Sequence, residues 1–270
     1  MDKGKTFRLL HEGRDILIMP NPWDPGTAKY LASLGFKALA TTSAGFAFSR
    51  GLPDGGVPFD AMMQHCREMV AATDLPISAD LEKGKGDSAD SAAETIFAAE
   101  AAGLAGCSIE DFSGDAAKPI YDFDHAVERV AAAAEAARAL KGDFVFTARC
   151  ENFLHGITDF DATVKRLQAF ERAGADVLFA PGISDPARLR ELCAAVSKPV
   201  STIAPAGLSV PELTEIGISR LSLGSRLTTA AFTALHTAAR EMLDKGTFEF
   251  NRSGVAYSEL QGLFSRNGDS

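Results

Sequence analysis

The amino-acid sequence predicts an α/β fold, a single-domain (β/α)8 TIM barrel over residues 1–270 with an extra helical segment at its C-terminus. Eight short apolar segments alternate with helical segments, and no linker or change of composition divides them. The length of 270 residues is also usual for one barrel of this kind. The alternative, an open doubly wound sheet, needs a glycine-rich turn after its first strand, and PNPWDPG is not one.

The first half of the chain is predicted to contain four strand–helix pairs. Each strand is a short apolar run, and turn residues separate the elements, as Gly35 does after the first helix. The fourth helix is rich in alanine, the residue with the highest helix propensity. The strands are predicted at residues 16–19, 37–41, 76–80 and 106–110, and the helices at residues 25–34, 60–72, 88–103 and 122–140.

Four further pairs are predicted in the second half. The sixth strand stops at Pro181 and Gly182, and Gly224 and Ser225 follow the eighth strand and open the final helix. The strands are predicted at residues 144–148, 176–180, 199–203 and 220–223, and the helices at residues 159–173, 186–196, 210–216 and 225–243. A tail at about residues 247–270 holds one more helical stretch, YSELQGLF, whose apolar side chains need a surface to cover, such as a neighbouring subunit.

Composition excludes several classes of protein. The formal net charge of −9, without any basic cluster, argues against nucleic acid or an anionic membrane as a partner. No apolar run approaches the ~20 residues that cross a bilayer, and the N-terminus lacks a signal-peptide core. The four cysteines form no CxxC pair, so neither a disulfide framework nor a zinc site is indicated. These features predict a cytoplasmic protein.

Acidic residues follow two neighbouring strands of the predicted barrel. Asp80 and Glu82 come at the end of the third strand and lie two apart, so along a strand both would point to one face. Glu110 and Asp111 end the fourth, which is a parallel neighbour. Four carboxylates at one rim would repel one another, and a hard divalent cation removes that penalty. The sequence therefore predicts a metal site for Mg²⁺, with Mn²⁺ as the alternative, held by Asp80, Glu82 and Glu110.

Arg149 ends the apolar fifth strand, and two interpretations are open for it. It is either a structural partner for Glu110 or Glu151, or a bidentate clamp for a ligand carboxylate, which we favour. His155 follows shortly afterwards, at the border of the expected pocket. His65, by contrast, falls on a predicted helix and is expected at the surface.

Other strand ends carry residues with ordinary structural uses. Asp54 lies in a glycine-rich loop, where spacing alone favours a turn former. Trp23, the only tryptophan, is by itself more typical of a core. The segment Thr42, Ser43 and Ala44 offers hydroxyl and N–H groups to an anion, although small residues also suit a tight strand exit.

Five motifs together resemble the isocitrate lyase / phosphoenolpyruvate mutase superfamily. They are NPWD, TTSAGFA with GLPDGG, ADLEKGKG, SIEDF and TARCENFLHG, each after one of the first five strands, and the resemblance runs from about residue 16 to residue 263. It implies a Mg²⁺-dependent barrel enzyme that makes or breaks C–C or P–C bonds beside a 2-oxo or 2-hydroxy carboxylate.

The resemblance also implies roles for single residues. Asp80, Glu82 and Glu110 would hold Mg²⁺, partly through waters, and Asp54 would be a further active-site acid. Arg149 would bind the substrate carboxylate, Thr42, Ser43 and Ala44 would hydrogen-bond to the same ligand, and Trp23 would line the pocket. Family members commonly form tetramers of dimers that exchange a C-terminal helix, so we expect a homo-oligomer, a dimer or a tetramer.

The chain departs from the family pattern after the fourth strand. Lyases of isocitrate or methylisocitrate carry a loop close to Lys-Lys-Cys-Gly-His there, whereas this loop reads FSGDAAKPIYDFDH. Phosphonate mutases use a lysine and an asparagine, and only Lys118 is present as a catalytic candidate. Pro181 and Gly182 replace a glutamate that several lyases place after the sixth strand.

These features predict a Mg²⁺-dependent carbon–carbon lyase that acts on a small 2-oxo carboxylate, of the oxaloacetate-decarboxylase kind. Decarboxylation needs no loop cysteine, which fits the residues that are missing. One alternative is a phosphonomutase or phosphonopyruvate hydrolase that uses the same metal site. Another is a barrel that binds a small dicarboxylate without turning it over.

Overall fold

All eight predicted strands are present, and they are parallel. The computed structural model describes residues 2–13 and 15–265. The strands are β1 Leu17–Ile18, β2 Leu39–Ala40, β3 Ile77–Asp80, β4 Gly106–Glu110, β5 Val145–Arg149, β6 Val177–Phe179, β7 Val200–Ile203 and β8 Arg220–Ser222. They pair in the order β1-β8-β7-β6-β5-β4-β3-β2. This order, with a helix between successive strands, confirms the predicted α/β barrel.

The barrel closes between β1 and β2 through only a few hydrogen bonds. The amide nitrogen of Ala40 donates to the carbonyl oxygen of Pro20 over 3.1 Å. The side chain of Asn21, which follows β1, links the ends of β2 and β8. Its amide nitrogen donates to the Thr41 carbonyl over 3.0 Å, and its oxygen accepts from the Leu223 amide over 2.7 Å. A buried side-chain amide therefore replaces part of the missing strand ladder at this seam.

The predicted helices are present within a few residues of their expected bounds. Several begin at a side-chain cap, as Asp24, Ser88 and Asp159 accept hydrogen bonds from backbone amides of the first turn. The helices are α1 Lys3–Glu12, α2 Pro25–Ser33, α3 Ser43–Ser49, α4 Phe59–Ala72, α5 Ala89–Ala101, α6 Phe123–Ala139, α7 Phe160–Ala173, α8 Pro186–Ala195, α9 Val210–Ile216, α10 Arg226–Lys245 and α11 Tyr257–Ser265.

Helix α3 was not predicted, because its sequence, SAGFAFS, is short and has the composition of a loop. The Thr42 hydroxyl caps it by accepting from the Gly45 amide over 3.1 Å. Gly45 is required for packing, since a Cβ atom there would lie 2.4 Å from the hydroxyl oxygen of Thr228. The first turn of α3 is thereby packed against helix α10.

Helix α1 closes the opposite, N-terminal end of the barrel. Its Phe7 side chain is fully buried in a cluster with Leu17, Met19, Val145 and Val177. Burial of such a side chain contributes roughly 2–3 kcal/mol. The N-terminal end is therefore a packed core, which leaves the C-terminal end as the open face.

The prediction that His65 lies at the surface was wrong. Its side chain is 3% exposed, and its ring stacks on Phe46 at a centroid distance of 3.8 Å. Burial lowers the pKa of His65 to about 4. The sequence reading failed because α4 has two buried faces, one on the barrel and one under α3.

This burial makes the protein sensitive to acid. The folded pKa lies below the ordinary value of 6.5, so the unfolded state binds more protons and stability is lost as pH falls from about 6.5 to 4. We expect His65→Phe, which keeps the stacking, to reduce the loss between pH 7.5 and pH 5 by about 2 kcal/mol in chemical denaturation. His236→Phe, on the exposed face of α10, is the control. Equal pH profiles for both variants would contradict the assignment.

The C-terminal helix α11 lies against α2 of the same chain. Phe264 of α11 approaches Gly26, and a Cβ atom on that glycine would lie 3.9 Å from the Phe264 ring. Tyr257 remains 81% exposed. Residues 266–270 of the predicted tail lie outside the described residues, and helix exchange between subunits stays a prediction. Among the described helices, none has the length and hydropathy that a membrane span requires.

Candidate active site

Two adjoining cavities open at the C-terminal ends of the strands. The first, here the central cavity, has a volume of about 190 Å³ and reaches into the barrel. The second, here the mouth cavity, has a volume of about 460 Å³ and lies under the loop after β4. Ser43, Asp54, Arg149 and Leu154 line both cavities. The two spaces therefore form one continuous region around these four side chains.

The structure brings most of the predicted site residues to this region. Besides the shared residues, Thr42, Ala44 and Asp80 line the central cavity, and Glu82 and Glu110 line the mouth cavity. The strand register explains part of this, because Glu110 of β4 lies beside Arg149 of β5. Parallel strands present their carboxyl ends at one edge, so the side chains that end them meet there.

Arg149 is the centre of an ion-pair cluster. Its guanidinium lies 3.3 Å from Asp80 and 3.4 Å from Glu110, and its Nε donates to Glu151. Burial by itself lowers the pKa of Arg149, but the charges of Glu110, Glu151 and Asp80 outweigh burial and raise it. Of the two interpretations of Arg149, the structural ion pairs are present. Its contact with a ligand carboxylate stays a prediction.

Five carboxylates, those of Asp54, Asp80, Glu82, Glu110 and Glu151, surround this one arginine, so negative groups outnumber the positive one. Burial and the neighbouring charges of Asp80 and Asp54 raise the pKa of Glu82 to about 7. The pKa of Glu110 is raised well above its ordinary value, mainly by burial and then by nearby carboxylates. The pKa of Asp54 is also raised, by burial and by Asp80. The site therefore has a local excess of negative charge.

Glu82 reaches the cluster by a route that the sequence did not indicate. Strand β3 ends at Asp80, so the expectation that both carboxylates point from one strand face was wrong. Glu82 instead has φ 52°, and it is the single non-glycine residue with positive φ among the described residues. Its carbonyl oxygen accepts from the Glu110 amide over 2.9 Å, which holds the turn in place. Left-handed backbone costs about 1 kcal/mol or more for a residue other than glycine, and it is concentrated at functional sites.

The donor set fits a hydrated Mg²⁺. Within residues 2–13 and 15–265, no three Asp, Glu, His or Cys side chains form a preformed cage for a metal ion. Mg²⁺ does not need one, because it commonly keeps several waters and binds one or two carboxylates. Asp80, Glu82 and Glu110 supply carboxylate oxygens, and the raised pKa values of Glu82 and Glu110 show that added positive charge would be stabilising.

Asp111 does not belong to the rim of acids, contrary to expectation. It is 3% exposed, lies 3.3 Å from Arg166, and accepts from the Glu151 amide over 2.7 Å. Burial raises its pKa to about 6. Asp111 therefore positions the backbone of Glu151 and has no contact with either cavity.

Trp23 and Lys118 also lie apart from the cluster. Trp23 is half-buried at the turn before α2 and lines neither cavity. Lys118 is in the loop after β4, where its ammonium group lies 2.6 Å from Asp122 and its side chain is 63% exposed. The catalytic role of Lys118 and the substrate contact of Trp23 stay predictions.

The structure adds polar residues inside the barrel that sequence reasoning missed. Ser78 and Ser108 line the central cavity below the acids, as does Arg220 at the start of β8. The sequence did contain a sign of these serines, because side chains two apart on a strand point the same way. Ser78 precedes Asp80 by two positions and Ser108 precedes Glu110 by two, so both serines face inward with the acids. His155 lines the mouth cavity, as expected, stacked on Phe112 at 4.2 Å.

Removing one carboxylate from the cluster is expected to stabilise the metal-free protein and weaken metal binding. Because folding raises the pKa of Glu82, ionisation costs stability above pH 4.5, and Glu82→Gln removes this cost. We expect a gain of about 1 to 2 kcal/mol at pH 8 without Mg²⁺, and about tenfold weaker Mg²⁺ binding by calorimetry.

The control for this prediction is Glu94→Gln, an exposed glutamate of α5 that pairs with Lys85. This variant should change neither the stability at pH 8 nor the Mg²⁺ affinity beyond experimental scatter. An unchanged Mg²⁺ affinity in Glu82→Gln would remove Glu82 from the metal site.

Comparisons with known proteins agree with the barrel fold. Residues 7–243 match the phosphoenolpyruvate phosphomutase family. A crystal structure of a provisionally assigned lyase/mutase from Burkholderia cenocepacia J2315 is 49% identical, with a TM-score of 0.95 over 97% of this chain and 95% of that one.

Two enzymes are equally similar in sequence. The 2-methylisocitrate lyase of Escherichia coli K12 is 29% identical over 98% of this chain and 90% of its own length. The oxaloacetate decarboxylase of Paraburkholderia xenovorans LB400 is 29% identical over 95% of this chain and 87% of its own length. Overall identity therefore does not choose between these two activities.

Proposed function

Because the chain belongs to the phosphoenolpyruvate phosphomutase family, we propose that it is a Mg²⁺-dependent lyase that cleaves a C–C bond beside a small 2-oxo carboxylate, with oxaloacetate decarboxylation as the reaction. The observation that carries the proposal is the convergence of Asp80, Glu82 and Glu110 around Arg149 at the open end of the barrel. This family of lyases and mutases supplies the general type of chemistry, and the residues of the site support the specific reaction.

The loop after β4 favours decarboxylation over cleavage of a methylisocitrate. Residues 112–121 contain neither cysteine nor histidine, so the loop lacks the cysteine that acts as acid and base in those lyases. The loop is nonetheless an ordered part of the mouth, because Phe112 bridges Ile120 and Lys83 donates to the Ser113 carbonyl over 2.8 Å. Loss of CO2 from oxaloacetate breaks the C3–C4 bond and leaves the enolate of pyruvate, whose charge must be stabilised on the oxo oxygen. The enolate carbon C3 then takes a proton from water, so neither step needs an acid from this loop.

The roles of the side chains follow from their positions. Asp80, Glu82 and Glu110 would hold Mg²⁺, which when bound supplies Lewis-acid stabilisation of the charge that develops on the substrate oxo group. Ser43 donates its hydroxyl to Asp80 over 2.9 Å and so orients that carboxylate. Arg149 lines both cavities and, paired with three carboxylates, holds them in position. Asp54, with its raised pKa, lies between the cavities as a further acid.

Turnover of oxaloacetate tests the proposal directly. Purified protein with Mg²⁺ should produce pyruvate faster than Mg²⁺ alone, and the same assay should include phosphonopyruvate and 2-methylisocitrate. Preferential turnover of phosphonopyruvate would replace the proposal by P–C bond chemistry. Binding of oxalate without turnover of any of the three substrates would favour a barrel that only binds carboxylates.

A further inference from the structure

The middle of this barrel is polar. Most (β/α)8 barrels are filled there by bulky branched apolar side chains. Here the inward-facing side chains of four strands are the buried hydroxyl residues Ser78, Ser108, Thr147 and Ser201. Arg220 of β8 lies among them and is only 4% exposed. Hydroxyl groups around a buried guanidinium form an environment suited to an anion.

Arg220 differs from Arg149 in having no counter-charge. Its Nε donates to the Ser201 hydroxyl over 3.1 Å and its Nη1 donates to the Thr147 hydroxyl over 2.9 Å. Both partners are neutral, and no ion pair joins Arg220 to an acid within the part of the chain that the structure describes. Burial lowers the pKa of Arg220 to about 10, so the residue stays charged at neutral pH. A buried charge without a partner is destabilising, and a bound anion would relieve that cost.

The position of Arg220 makes it accessible to a ligand. It lines the central cavity together with Ser43, Asp80 and Arg149. Its partner Thr147 precedes Arg149 by two residues on β5, which places it about 6.6 Å deeper in the barrel at the usual rise per residue. Arg149 is already paired with three carboxylates. Arg220 is therefore the arginine of the cavity whose charge remains available.

We propose that Arg220 is an anion-binding residue at the floor of the central cavity, where it binds a carboxylate group of the ligand. That the ligand is a substrate of the enzyme rests on the function proposed above. A planar guanidinium matches a carboxylate, and the hydroxyl groups of Ser78, Ser108 and Ser222, which line the same cavity, can donate to its oxygens. For a 2-oxo acid bound by its C1 carboxylate, the bond that breaks would point toward the mouth, where CO2 can leave.

Binding of oxalate with saturating Mg²⁺, measured by calorimetry and thermal shift, tests this assignment. Arg220→Met removes the charge and keeps most of the volume, while Arg220→Lys keeps the charge and removes the planar fork. We expect at least tenfold weaker oxalate binding in Arg220→Met, a smaller loss in Arg220→Lys, and unchanged Mg²⁺ binding without oxalate. The melting temperature of ligand-free Arg220→Met should equal or exceed that of the wild type, because an unpaired buried charge is removed.

A purely structural role for Arg220 gives the opposite result. Arg220→Met would then melt below the wild type and retain its oxalate affinity within twofold, which would overturn the proposal, as would failure of the wild type to bind oxalate. If Arg220→Met does not fold, Thr147→Val and Ser201→Ala remove the positioning hydroxyls singly. Each substitution should weaken oxalate binding about threefold to tenfold. An unchanged oxalate affinity in either variant would overturn the proposal.

The test of the Arg220 anion site and the test of the lyase reaction can fail independently. Oxalate binding that depends on Arg220, without turnover of oxaloacetate, would leave the anion site in place and refute only the lyase reaction. Turnover that Arg220→Met leaves unchanged would refute only the anion site.

Discussion

Replacement of Arg149 by methionine is expected to lower the free energy of unfolding by about 3 to 5 kcal/mol, because a partner is removed from a buried ion-pair cluster. Asp80, Glu110 and Glu151 would then be left close together without the guanidinium that now lies between them. Thermal or denaturant unfolding without Mg²⁺ measures the loss. For a domain of this size the melting temperature should fall by about 10 °C.

Mg²⁺ should restore part of the stability lost in Arg149→Met, because a cation at the same carboxylates replaces some of the missing charge. Turnover should not be restored and should remain at least 100-fold below the wild type. The matched control is Arg8→Met, an arginine at the opposite end of the barrel that pairs with Asp143 and Asp176 near solvent. The free energy of unfolding of Arg8→Met should be lower than that of the wild type by about 1 kcal/mol. Equal losses in the two variants would show that the Arg149 cluster is no more important than a surface network.

Asp80→Asn is expected to reduce kcat/KM for oxaloacetate by about 1000-fold, equivalent to about 4 kcal/mol of transition-state stabilisation. The asparagine keeps the shape of the side chain and an oxygen that can accept from the Ser43 hydroxyl. It removes the charge that adjoins Arg149 and, in the proposed mechanism, a metal ligand. The fold should survive, because Arg149 retains Glu110 and Glu151 as partners.

Two measurements separate the effects of Asp80→Asn. Calorimetry should show weaker Mg²⁺ binding, and circular dichroism should be unchanged. Asp90→Asn, an exposed residue in the first turn of α5, is the control and should retain wild-type kinetics. Activity of Asp80→Asn within tenfold of the wild type would exclude Asp80 as a metal ligand in the reaction.

The two arginines of the central cavity differ in their partners and in their proposed roles. Arg149 is neutralised by acids and stabilises the arrangement of the metal-binding carboxylates. Arg220 has neutral partners and is free to bind an anion. The comparison of Arg149→Met with Arg220→Met therefore has a clear expected pattern, since the first should destabilise the ligand-free protein and the second should not.

The sequence by itself determined the architecture and the principal acids of this protein. Apolar runs ended by polar or turn-forming residues located all eight strands, and cap residues such as Ser88 and Asp159 located helix starts. These signals are local, because hydrophobic period and capping depend on residues a few positions apart. Asp80 and Glu110 were found for the same reason, since each ends a strand.

Only the tertiary structure decided which of these residues meet and with what charge. Asp111 follows Glu110 directly, yet it turns away to Arg166. Glu82 reaches the cluster through a left-handed turn, and Arg220 finds Thr147, 73 residues away in the chain, across the barrel. Burial, pairing and pKa depend on neighbours that the fold brings from distant segments, so no local pattern in the sequence contains them.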